Sequence, residues 1–201
     1  MPSLVADYRT IDRETAKLLN LFGTLGSLSP KHQKLVSEII LLRLFDLFLN
    51  LVSSVAAKVA CGASYVDGTL PTPLTRATSI NHAKQLFQSQ GRKNAKMQLR
   101  WSTARDIKDN IGFVLGGHEN LVLAVDRSSL FIDELRRIRN RIAHSNKSSR
   151  SEYQVVVRRH YGANRNQVTP GLLLATPRFR PALLERYLRE TRVFAKDFVK
   201  I

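Results

Sequence analysis

Arg139, Asn140 and His144 fall within six consecutive residues. Arginine is always charged and offers a planar fork that matches phosphate oxygens. Histidine titrates near neutral pH, so it accepts a proton and returns it. RNA carries its own nucleophile in the ribose 2′-hydroxyl. A histidine to deprotonate that hydroxyl and an arginine to hold the phosphorane charge suffice for transesterification without a metal. The products of that chemistry are a 2′,3′-cyclic phosphate and a 5′-hydroxyl. Asn140 and His144, at i and i+4, share one face of an ideal helix. Arg139 and His144 are five apart, about 140° around the axis. Convergence therefore demands that the helix be ended or distorted near His144, or that a second subunit complete the set. The bland alternative is that His144 caps a helix whose arginines form a solvated face.

The element that must position these three runs from Leu130 to Asn146. Phe131, Leu135, Ile138 and Ile142 recur at steps of four, three and four, which is one face of an amphipathic helix. Between Arg136 and Arg150 the chain has six basic residues and no acidic one. Like charges at helical spacing repel, so such a helix needs a reason, and a polyanionic partner is the first to consider. Arg136, Arg137, Arg141 and Lys147 are the candidate RNA contacts around the reacting set.

The whole chain points the same way. Its 201 residues carry 32 Lys and Arg against 16 Asp and Glu, a net charge of +16. That sign and size predict attraction to nucleic acid or an anionic surface. With 43% hydrophobic residues the chain can bury a core and is no disordered basic tail. Cys61 is the one cysteine, which rules out an internal disulfide or a cysteine-based zinc site and fits a reducing, cytoplasmic setting. His82, His118 and His160 lie in unrelated segments without ligand spacing, so neither metal nor cofactor is expected. Met1 to Thr10 lack the order of a signal peptide. The longest charge-free apolar piece, Leu47 to Ala57, is shorter than the ~20 residues that span a bilayer. A buried helix is expected there, with no membrane partner.

In chain order, residues 6–22 predict an amphipathic helix with Leu18, Leu19 and Phe22 inside, interrupted by Gly23 and Gly26. Ser29-Pro30 starts a long central helix that Gly62 stops. It is apolar on almost every face after Ile39, as a helix covered by several neighbours would be. Arg43 and Asp46 within it are spaced to pair and are candidate supports for the site. Residues 62–78 read as loop, Ser79 caps a helix through Gln90, and Ser102 or Thr103 starts another that ends near Gly116-Gly117. Trp101 lies in a basic patch but is expected in the core. Residues 119–126 lean to helix or loop. Tyr153 to Tyr161, with Val155, Val156 and Val157, predicts a short strand pairing with Leu172 to Ala175 across a Pro170-Gly171 turn. Pro181 opens a last helix to about Lys200, with Leu183, Leu184, Leu188, Phe194 and Phe198 inward. The expected fold is a single all-α domain, 1–201. Its parts are a bundle core over about 6–146, a small irregular or β-hairpin insertion over about 147–179, and a C-terminal helix over about 180–200.

Arg139-Asn140-Arg141-Ile142-Ala143-His144 resembles the R-x4-6-H signature of the HEPN superfamily, including its polar residue directly after the arginine. Asp133-Glu134-Leu135-Arg136-Arg137-Ile138 is also typical of that helix. The segment from Arg43-Leu-Phe-Asp-Leu-Phe through Ala60-Cys-Gly-Ala-Ser-Tyr-Val-Asp-Gly68 is similar to the RiboL-PSP-HEPN branch. The likeness spans roughly residues 30–150. It implies a helical bundle, usually dimeric, whose two motif helices face each other across a cleft. Many such proteins are metal-independent endoribonucleases of toxin or antiviral systems; others only bind. On that resemblance Arg139 contacts the phosphate and transition state, Asn140 positions the histidine or substrate, and His144 is the acid/base. Two rivals remain. One is a non-catalytic nucleic-acid or nucleotide-binding module. The other is an interaction subunit whose apolar helix packs on an antitoxin or a nucleotidyltransferase.

Overall fold

A 31-residue helix, α2 (Pro30–Ala60), is the axis on which the other elements pack. Ser29 precedes it in extended conformation and Pro30 takes the first helical position, where a missing N–H costs nothing. The Ser29 hydroxyl turns to His32 Nδ1 at 2.7 Å and not to the backbone. At the other end Cys61 donates to Ala57 O, and Gly62 at φ +85° breaks the helix in a conformation that side chains disfavour. By length and composition α2 would span a membrane, but more than half of its most apolar window is buried inside the protein.

The computed structural model describes residues 3–201. The remaining elements are α1 (Leu4–Gly23), a 3-10 turn (Leu25–Ser27), α3 (Ile80–Ser89), α4 (Ala104–Leu115), α5 (Asn120–Arg127), α6 (Ser129–Ala143), α7 (Lys147–Tyr161), α8 (Pro170–Ala175) and α9 (Leu183–Val199). No strand occurs among the described residues. The fold is all-α, with the long central helix and the C-terminal helix where the pattern put them.

Two apolar clusters divide α2 between them. Its C-terminal half, Leu47 to Ala60, packs with α3, α4, α5 and the end of α9. Its N-terminal half, through Ile40, Leu41, Leu44 and Phe45, packs with α6, α7, α8 and the start of α9. Leu18, Leu19 and Phe22 are half-buried against the second cluster, while Leu4, Ile11 and Thr15 are the fully buried residues of α1. Ser79 and Thr103 cap α3 and α4 through their hydroxyls. Trp101 packs edge-on to Phe87 at 5.9 Å, against the core.

The expected β-hairpin does not exist. Residues 147–161 form α7 and residues 170–175 form α8. The valine run favours a strand only locally. Tyr153, Val156 and Val157, at i, i+3 and i+4, are the buried apolar residues of α7, and that period is helical. Asn146 caps α7 by accepting from Ser149 N at 2.8 Å, and Gly162 closes it in the left-handed conformation. Pro170 opens α8 at its first turn, with Thr169 as cap. Gly171 serves close approach and not a turn. A Cβ there would lie 2.6 Å from Lys34 O, and its N–H donates to Glu38 Oε1 at 2.8 Å. Residues 147–179 are thus part of the second core and not an appendage to it.

Candidate functional site

The apolar face of α6 carries Phe131, Leu135, Ile138 and Ile142, as its spacing requires, with Ile132 fully buried beside them. Leu135 and Ile138 are fully buried, and Phe131 meets Phe48 of α2 and Tyr187 of α9 at 6.4 and 6.2 Å. That packing fixes the rotation of α6 and so the direction of every polar residue on it.

α6 ends at Ala143. His144 is the first residue beyond it and is extended, at φ −135° and ψ 128°. The cause lies downstream. Asn146 must adopt extended backbone to cap α7, which leaves only residues 144 and 145 to turn the chain. The backbone of His144 is held from both sides: its N–H donates to Asn140 O at 2.9 Å, and its carbonyl accepts from Ser149 Oγ at 2.6 Å. Its ring is exposed and makes no side-chain hydrogen bond among the described residues. So His144 does cap α6, but through its backbone, and the imidazole is left free.

Arg139 lies half-buried over the Phe45 ring of α2, 5.7 Å from its centroid, and its Nη1 donates to Asn140 Oδ1 at 3.2 Å. Arginine and asparagine are therefore assembled, and the histidine sits at the tip of the α6–α7 turn beside them in the chain. The ideal-helix angle between Arg139 and His144 does not apply, because His144 is not helical.

The surrounding basic residues do not act as one face. Lys147 is exposed at the start of α7. Arg137 and Arg141 are half-buried, with Nε of the first and Nη1 of the second buried and without partner. Arg136 departs from the expected RNA-facing set: it forms an ion pair with Glu152 of α7 at 2.9 Å. The support expected from Arg43 and Asp46 is also missing. They form no ion pair with each other, and Arg43 lines a groove of about 470 Å³ with Asp7, Glu14 and Ser54, between α1 and α2. Arg43 and Phe45 are two residues apart, about 200° around the helix, so Arg43 turns away from Arg139.

One buried cluster escaped the sequence reading. Glu134 of α6 is 5% exposed and accepts from Arg159 Nη1 at 2.6 Å and from the Tyr187 hydroxyl at 2.7 Å, with His160 Nε2 at 3.4 Å. Burial opposes its charge, but the bonds from His160, Tyr187 and Arg159 outweigh that and hold the carboxyl down at about 2. The available signal was a single acid on the edge of the apolar face of a basic helix. Its partners come from α7 and α9, so spacing alone could not name them.

Among the described residues no three His, Cys, Asp or Glu side chains converge as metal ligands. Comparison with protein-family models, with curated proteins and with solved structures finds no match to this chain.

Proposed function

We propose that the chain is an endoribonuclease of the HEPN type, cutting RNA by attack of the 2′-hydroxyl without a metal. The observation that carries this reading is the end of α6: Arg139 held by Phe45 and Asn140, with His144 just past the helix, its backbone fixed and its ring free. Arg139 binds the scissile phosphate and its growing charge. The imidazole of His144 takes the proton from the 2′-hydroxyl as its oxygen bonds to phosphorus. The bond from phosphorus to the 5′-oxygen breaks, and that oxygen takes a proton from an imidazolium of this chain or of a second copy. The products are a 2′,3′-cyclic phosphate and a 5′-hydroxyl. The same resemblance argues for a cytoplasmic homodimer in a toxin or antiviral setting, held in check by an antitoxin or nucleotidyltransferase.

The test is sequencing of RNA ends after brief expression of wild type, Arg139→Ala and His144→Ala, with cleavage by the purified proteins in EDTA. Expected are cyclic-phosphate ends with wild type only, and full activity in chelator. RNA cleavage by purified His144→Ala at the wild-type rate would sink the proposal, and loss in EDTA would require a metal mechanism. A second reading, a binding-only module, is favoured by the absence of any hydrogen bond from the His144 ring to Arg139 or Asn140. Its mark is tight, salt-sensitive RNA binding with no cyclic-phosphate product.

A further inference from the structure

Beside the tip of the α6–α7 turn lies a small cleft of about 50 Å³, lined by Arg141, Arg150, Tyr153, Gln154, Asn166 and Thr169, among others. It exceeds the roughly 30 Å³ that one water occupies and is far too small for a base. Two of its members carry buried polar atoms without partners, Arg141 Nη1 and the hydroxyl of Tyr153, a residue only 2% exposed. A buried orphan of this kind costs on the order of 1–3 kcal/mol unless something meets it, and the cleft leaves room for a polar group between the two. Other members are already committed. Gln154 Oε1 accepts from Arg165 N at 3.1 Å, and Thr169 caps α8. Arg150 and Asn166 are exposed at the mouth and make no side-chain bond among the described residues. No carboxylate lines the cleft. The nearby acid Glu38 is turned to the Gly171 N–H.

Arg141 stands two residues after Arg139, so the two arginines leave opposite flanks of α6, about 200° apart. Arg150 belongs to the first turn of α7, directly beyond His144. A strand bound at Arg139 and His144 would have to wrap the tip of the turn to reach this cleft. We propose that the cleft is a second phosphate subsite. It takes a phosphate of the same strand further along from the scissile one, gripped by Arg141 and Arg150, with the Tyr153 hydroxyl donating to a phosphate oxygen. The assignment rests on the endoribonuclease reading for its ligand, RNA, but its geometry does not depend on catalysis.

The test is therefore a binding measurement. A fluorescent single-stranded RNA made fully of 2′-O-methyl nucleotides cannot be cut by 2′-attack. Its affinity is read by anisotropy across a salt series for wild type, Arg150→Ala and Tyr153→Phe. Arg150→Ala should weaken binding about 10-fold and lower the log–log salt slope by about one. Tyr153→Phe removes one oxygen from a buried ring. It should weaken binding about 5-fold, the share of a single hydrogen bond, and leave the slope unchanged. Wild-type affinity in Tyr153→Phe, with loss in Arg150→Ala alone, reduces the cleft to general surface charge and overturns the proposal. Inorganic phosphate titrated at fixed ionic strength separates a free-phosphate site. Saturable micromolar stabilisation of wild type that Tyr153→Phe abolishes would overturn the RNA assignment. If His144→Ala still cuts RNA, the catalytic reading fails while these binding results stand unaffected.

Discussion

Arg139 rests its guanidinium over the buried ring of Phe45, 5.7 Å from carbon to ring centroid. The contact crosses from the motif helix to the central helix, and it sets where the one assembled cation of the site points. A cation over an aromatic face contributes about 0.5–2 kcal/mol, depending on desolvation. Phe45→Leu keeps an apolar side chain but removes the face. It should lower kcat about 3- to 10-fold, with affinity for uncleavable RNA within about 2-fold, since the charge remains. Arg139→Lys keeps the charge and loses the planar fork, and should cost about 100-fold. An equal loss of binding and turnover in Phe45→Leu would mean that the ring supports the fold and not the arginine.

The long central helix was legible because Ser29-Pro30 and Gly62 bracket it and its apolar residues leave few faces for water. α6 was legible for the opposite reason, a single clean stripe at Phe131, Leu135, Ile138 and Ile142. α7 was not. Val155, Val156 and Val157 read as strand, although Asn146 is a favoured N-cap residue at the head of that segment. That one misreading hid the rest. Without α7 there is no reason to bring Glu152 to Arg136, Arg159 to Glu134, or Ser149 to the carbonyl of His144. The demand that the helix end near His144 could be derived from the spacing. The means by which it ends required the helix that follows.

Glu134 ties α6 to α7 and α9, and its carboxyl titrates at about 2 against an ordinary value of 4.5. A carboxyl depressed in the folded state stabilises it fully above its unfolded value. That contribution fades as pH falls from about 4.5 toward 2. With allowance for the exposed side of Arg159, its size is on the order of 2–3 kcal/mol. Urea unfolding of wild type should therefore lose that stability through this window. Glu134→Gln should already lack it at pH 7 and show a shallower acid slope. Parallel acid slopes in the two proteins would assign the acid transition elsewhere.

Leu35, Ile39, Leu42 and Asp46 recur along α2 at steps of four, three and four, the spacing of a helix–helix seam. Leu35 and Ile39 are 54% and 53% exposed, and Arg43 and Asp46 lie exposed beside them without an ion-pair partner. Were α2 to pack on its own copy about a two-fold axis, Arg43 of one protomer would face Asp46 of the other, twice. On the homodimer reading proposed above, the occupant of this face is a second copy of the chain. Sedimentation should give a dimer for wild type and a monomer for Ile39→Glu and for Arg43→Asp. The double exchange Arg43→Asp with Asp46→Arg should restore the dimer. Monomeric wild type at micromolar concentration would remove the face from the argument.

Ser149 closes the tip of the α6–α7 turn by donating to the carbonyl of His144 at 2.6 Å, and it also reaches Asn146 O at 3.0 Å. Its side chain is buried, and its hydroxyl bonds fall on the backbone of the turn and not on the His144 ring. Ser149→Ala removes about 1 kcal/mol of hydrogen bonding and leaves the Asn146 cap of α7 intact, because that bond uses the Ser149 N–H. The histidine is then held on one side only, by Asn140 O. Turnover should fall about 10-fold while KM and uncleavable-RNA affinity stay near wild type, since small displacements of a reacting group cost rate before they cost binding. Ser149→Thr keeps the hydroxyl and should recover most of the rate. If Ser149→Ala turns over like wild type, the extended backbone at His144 is fixed by Asn140 and the α7 cap alone, and the serine is only a packing residue.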